Sequence, residues 1–185
     1  MKRTPIINMA DLIHWWPYLC EDTRKDIQAL PVPETFGGKP CIQDLNEITL
    51  EQLAKLQVAD ADSLPYVVGE ALYGADRKTV EQLPAAEFMG ICNMVARELE
   101  RIGSMFQSLG REFTSAEIRA GAKDLNHGIF GLADWYAQRM NMQNHDDAFA
   151  TPWLRVWQCR KNDQEMNEYR ERLQEIQLSD MKNRH

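Results

Sequence analysis

The sequence has no Cys-x-x-Cys pair, no clustered histidines, no glycine-rich phosphate loop and no long apolar run, and each absence closes a class of function. Its four cysteines, Cys20, Cys41, Cys92 and Cys159, lie 21, 51 and 67 positions apart, too dispersed for a zinc site or a redox couple. They read as four small buried hydrophobes in a reducing compartment. His14, His127, His145 and His185 fall one to a segment, so they offer no convergent metal or acid-base set. His145-Asp146-Asp147 puts three ligand types in a row, but neighbours on irregular chain do not converge on one ion without a turn built for it. A polar loop is expected there. Asp60 and Asp62 lack the glycine and distal glutamate of a calcium loop, with Pro65 in the way, and are expected as helix-start acids. Gly37-Gly38 is a lone pair with no strand before it and no helix directly after. The expectation is a protein with no metal, no cofactor and no enzymatic activity. No apolar run reaches the roughly 18 to 20 residues of a membrane span, and Lys2-Arg3 lead into no apolar stretch of signal-peptide length. A cytoplasmic protein with no membrane partner is therefore expected. Lys and Arg number 21 against 28 Asp and Glu, a formal charge of -7, and that average field repels polyanions, excluding nucleic acid as a general partner.

What is present is helical. With 185 residues, 44% of them hydrophobic, the chain can bury about two-thirds or more of its unfolded surface. Pro17, Pro31, Pro33 and Pro40 fall before residue 48 together with Gly37 and Gly38. They predict extended or looped chain over 29–46, with at most one short β pair. Ahead of it, Asn8 with Asp11 opens a short helix carrying Leu12, Trp15, Trp16 and Leu19. Thr49 with Gln52 forms a capping box before Leu50, Leu53 and Leu56. Ser63 precedes the face Leu64, Val67, Val68, Ala71 and Leu72, which Gly74 ends, and Asp76 caps a turn bearing Val80. A long helix is predicted over 84–109 from Phe88, Ile91, Cys92, Val95, Leu99, Ile102 and Phe106, with Arg97, Glu98, Glu100 and Arg101 as its solvated face. Thr114, Glu117 and the Phe113–Ile118 pair predict a capped and stapled helix start. Another helix carries Phe130 to Met140, after which 144–150 loses its period. Thr151-Pro152 starts a helix with Trp153, Val156 and Trp157. A last one is expected from Asp163, its Met166, Tyr169, Leu173 and Ile176 forming a narrow seam of coiled-coil type held by packing. The sum is an all-α compact bundle of six to eight helices. It divides into an N-terminal segment 1–46, a helical domain 47–179 and a frayed tail 180–185.

Five tryptophans are the unusual component. Trp135, Trp153 and Trp157 lie close together in sequence with Phe130, Tyr136 and Phe149. Such rings build a core between packed helices, since each buries roughly 150 to 250 Å². They also serve as anchors for a partner helix. Phe130, Trp135, Tyr136, Trp153 and Trp157 are therefore the candidate partner-binding residues, with Trp153 expected inside and Trp157 or Tyr136 at a rim. Trp15 and Trp16 are the second place to look.

Three stretches carry a resemblance: EITLEQLAKLQ (47–57), GAKDLNHGIFGLADW (121–135), and TPWLRVWQC (151–159) with NEYRERLQEI (167–176). Together they resemble the tail assembly chaperones of long-tailed bacteriophages and prophages, over residues 31–177. The resemblance implies a non-enzymatic helper that binds the tape-measure protein, a long helical chain, during tail and virion morphogenesis, in the host cytoplasm. It assigns no catalytic residue, and the Trp15-Trp16 helix lies outside it. It permits a homo-oligomer. A structural virion connector or neck component and a host helical adaptor are the alternative readings.

Overall fold

Caps decide where this chain turns helical. The computed structural model describes residues 8–110, 114–121 and 127–182. Asn8 accepts from the Asp11 amide at 2.9 Å and starts α1 (Met9–Trp15). Pro17 then tightens the chain into a 3-10 turn over Trp16–Tyr18, since proline removes the donor that another α turn would use. Directly after this turn stands a helix that the sequence pattern does not predict, α2 (Glu21–Gln28). It has no buried residue; acids in its first turn and an exposed Glu21–Lys25 pair at 3.1 Å support it locally, and Asn93 donates to its Ile27 carbonyl at 2.8 Å. The expected β pair forms between β1 (Thr35–Phe36) and β2 (Lys39–Pro40). Gly37 and Gly38 take φ of 59° and 75° between them, a left-handed turn that favours glycine at both positions.

α3 (Leu50–Gln57) begins at the Thr49–Gln52 capping box and buries Leu50, Leu53 and Leu56. In α4 (Leu64–Tyr73) the buried positions are Pro65, Val68 and Gly69. Ser63 does not cap that helix; its hydroxyl and amide bond to Asp60 instead. Gly74 ends α4 at a φ of 63°. Asp76 caps α5 (Arg77–Glu81) through the Thr79 amide at 2.8 Å, and Val80 of α5 is buried. α6 (Ala85–Gln107) buries Phe88, Ile91, Cys92, Met94, Val95 and Ile102.

The chain divides into two compact units, Met1–Gly103 and Ser104–His185. The division falls inside α6, not at residue 46. The physical reason is that the 29–46 stretch is part of the first unit's core: Cys41, Leu45 and Ile48 are buried, and Phe36 packs on Tyr73 and Phe88 at 5.3 and 5.6 Å. Cys92 is buried too, which pushes its thiol up to about 12. Not all four cysteines are core residues, however, since Cys20 is exposed and Cys159 half-buried.

The expected solvated face of α6 is also partly structural. Glu98 accepts from the Leu45 amide at 3.1 Å and from Arg101 at 2.9 and 2.6 Å, while Arg101 also donates to Asn46 at 2.7 Å. The pair ties the proline-rich stretch to the helix. The Arg101 guanidinium, and then the Leu45 amide, hold the Glu98 carboxyl below its usual range. A lowered value means stability that is present above the ordinary glutamate pKa and lost as pH falls through the folded one. Glu98→Gln should therefore cost about 1.5 to 3 kcal/mol at neutral pH. The gap to wild type should close below about pH 4. Urea midpoints across that range check this, and a gap that persists undiminished in acid would refute the assignment.

In the second unit the first helix is α7 (Ser115–Arg119), with Ile118 exposed rather than packed. The expected Phe113 staple and the Glu117 side chain lie outside the described residues. α8 (Gly128–Arg139) and α9 (His145–Phe149) come next. The 144–150 stretch is thus helical where a loop is expected, because Asn144 caps it through the Asp146 amide at 3.0 Å. The Thr151 hydroxyl, just ahead of the last helix, donates back to the Asp147 carbonyl at 3.0 Å. α10 then runs unbroken over Trp153–Lys182, so the two expected C-terminal helices are one. No residue between Trp153 and Asp163 is a glycine or proline, and nothing stops the helix. Ten α-helices stand among the described residues, against the six to eight expected, and the protein is all-α. No helix among the described residues is long and apolar enough to cross a membrane.

Candidate protein-binding surface

The aromatic residues of the second unit separate into core and surface. Trp153 and Tyr136 are both 0% exposed. Tyr136 is therefore not at a rim, which corrects the expectation. It lies on the face of α8 that also buries Ala133 and Ala137, and its hydroxyl has no hydrogen-bond partner among the described residues. Trp153 opens α10 and packs on Phe106 of α6 with ring centroids 5.9 Å apart.

Trp157 and Trp135 are half-buried. One turn beyond Trp153, Trp157 donates its indole N–H to the Met105 carbonyl at 3.0 Å, which satisfies the polar edge of the ring. Lys161 lies 5.5 Å from its centroid. On α8, Trp135 carries the Arg160 guanidinium 5.1 Å over its face. Arg139 joins the same two helices by a forked pair to Asp163 at 2.9 and 3.1 Å. These contacts fix α8 against the first third of α10.

Phe130 is different. It is 60% exposed, it stacks on the His145 ring at 5.4 Å and an interplanar angle of 26°, and Phe149 stands 6.3 Å away. His145 is held by Asp134, which meets its Nε2 at 2.9 Å and accepts from Gln138 at 2.7 Å. Those two bonds, His145 first, keep the Asp134 carboxyl below its usual range. Asp146 and Asp147 sit in the first turn of α9, and among the described residues no group of three His, Cys, Asp or Glu is placed to hold a metal. What the patch offers is an exposed aromatic face on a rigid base, with an anionic edge at Asp134. Such a surface buries apolar area against another protein.

The second tryptophan pair lies in the first unit. Trp16 lines an apolar pocket of about 190 Å³ with Met9, Leu12, Ile13, Pro65 and Met89. Arg24 closes the turn above it, donating to the Trp16 and Pro17 carbonyls at 3.0 Å each. Trp15 is 42% exposed and meets His14 and Tyr18 edge-on.

A further surface is legible in the sequence as a seam, but packing does not cover it as expected. Met166, Tyr169, Leu173 and Ile176 of α10 are all exposed, between 38% and 58%. Comparison of the chain with protein-family models, with curated proteins and with solved structures gives no match.

Proposed function

We propose that this chain is a non-enzymatic protein-binding factor, a tail assembly chaperone that holds the tape-measure protein in the host cytoplasm until the tail tube forms. The observation that supports the reading is Phe130, an aromatic ring left 60% exposed on a base of His145 and Phe149. Exposed rings of this kind pair with apolar stripes on a partner helix. A long helical chain awaiting assembly presents such stripes, and covering them prevents its aggregation. The net charge of -7 keeps the carrier soluble while it lends that surface.

The test is co-expression with a tape-measure protein of a long-tailed phage, followed by co-purification. Phe130→Ala should lower affinity about tenfold or more, the loss of a hot spot of roughly 1.4 to 2 kcal/mol, with the circular dichroism spectrum unchanged. Capture of the partner at full affinity by the variant, or no capture by wild type, would overturn the reading.

A further inference from the structure

We infer that the distal half of α10 pairs, parallel and in register, with the same segment of a second copy of this chain. Every residue from Glu165 to Lys182 is exposed. At 1.5 Å rise per residue that is about 27 Å of helix, and an unsupported helix of such length is marginal in water. Its apolar residues are ordered. Met166, Tyr169, Leu173 and Ile176 recur at intervals of three, four and three, which are the a and d positions of a heptad. Asn162 at the preceding d position and Asp180 at the next a position end the seam on either side.

The charges beside the seam identify what covers it. With Met166 at a, Glu165 occupies g and Arg170 occupies e. In a parallel, in-register pair the g residue of one helix faces the next e residue of the other. Glu165 therefore meets Arg170 of the second copy, and twofold symmetry makes this contact twice. The next such pair sets Arg172 against Gln177, which is neutral. No like charges oppose each other. In the antiparallel arrangement the two copies of Arg170 come together near the centre of the seam, a repulsive contact. Among the described residues of one chain, Glu165 pairs with an exposed Lys161 at 3.8 Å, and Arg172 with an exposed Glu168 at 3.9 Å. Pairs of that kind rearrange at little cost. The seam is shorter than the three to four heptads of a stable free-standing coiled coil, so the dimer exchanges readily and dissociates at concentrations between about 1 µM and 1 mM. The inference is independent of the role given to Phe130, because the two surfaces share no residue.

Sedimentation equilibrium of the full chain over that range should show monomer and dimer in exchange. Glu165→Arg and Arg170→Glu should each weaken association at least about fivefold, and the double substitution should return it to within about twofold of wild type. Both positions lie outside the buried core, and an unchanged thermal melt confirms that each variant stays folded. A chain that remains monomeric throughout would overturn the inference and leave the seam to a helix of another protein. So would a trimer or ring, a double variant that fails to recover, or an Arg170→Glu variant that associates more tightly, which is the antiparallel outcome.

Discussion

Trp153→Ala is expected to remove about 3 to 5 kcal/mol of stability, and Tyr136→Ala a similar amount. Both side chains are 0% exposed, so truncation deletes a whole ring from a packed site and leaves a cavity that the neighbours fill only partly. For Trp153 the wall left behind includes Phe106, now facing a void across 5.9 Å. For Tyr136 the hydroxyl makes no hydrogen bond among the described residues, so ring packing carries the residue's contribution. Urea titration followed by circular dichroism should show each midpoint falling by more than about 1 M. Phe130→Ala should move the midpoint little, because surface substitutions stay within about 0.5 kcal/mol. A Trp153 variant as stable as the Phe130 variant would mean that α10 does not pack on the end of α6.

That contrast marks what the sequence can and cannot disclose. Trp153 is expected inside because Thr151-Pro152 sets where α10 begins and a ring at its first position turns inward with Val156. Tyr136 is misplaced by the pattern because period alone gives a face of α8 and not the neighbour that covers it. Local chemistry is legible at Asn8, Thr49 and Asp76, where a side chain satisfies the amide three residues on ahead of an apolar stripe or turn, but not at Asn144, whose bond to the Asp146 amide starts a helix without a period. α2 is not legible either, since it buries no apolar residue and its tie to α6 comes from Asn93, 66 positions away. The Glu98–Leu45 bond joins residues 53 positions apart, and no short-range signal predicts such a partner. For the same reason the 29–46 stretch looks loose in sequence, although Leu45 is 0% exposed. The seam on α10 is visible as a period, while its exposure depends on which other elements reach it.

Gly90→Ala should destabilise the first unit, although alanine is the better helix former by about 1 kcal/mol. Gly90 lies inside α6, and a Cβ added there would stand 2.0 Å from the Pro31 carbonyl oxygen and 2.9 Å from its carbon. Those atoms are backbone, so no rotamer change relieves the clash. Either the helix or the 31–32 segment must move, and overpacking of this kind costs about 1 to 3 kcal/mol or more. The segment is not free to move, since Asn93 of the same helix holds the Ile27 carbonyl at 2.8 Å on one side and Glu98 holds Leu45 on the other. Gly103 supplies the internal comparison. It lies in the same helix, and an added Cβ meets nothing within 4 Å. Gly103→Ala should therefore gain up to about 1 kcal/mol from propensity alone. The two alanines should shift the urea midpoint in opposite directions. A gain at both positions would show that the proline-bearing stretch does not lie against α6 in solution, and the first unit's core would then lack Cys41 and Leu45.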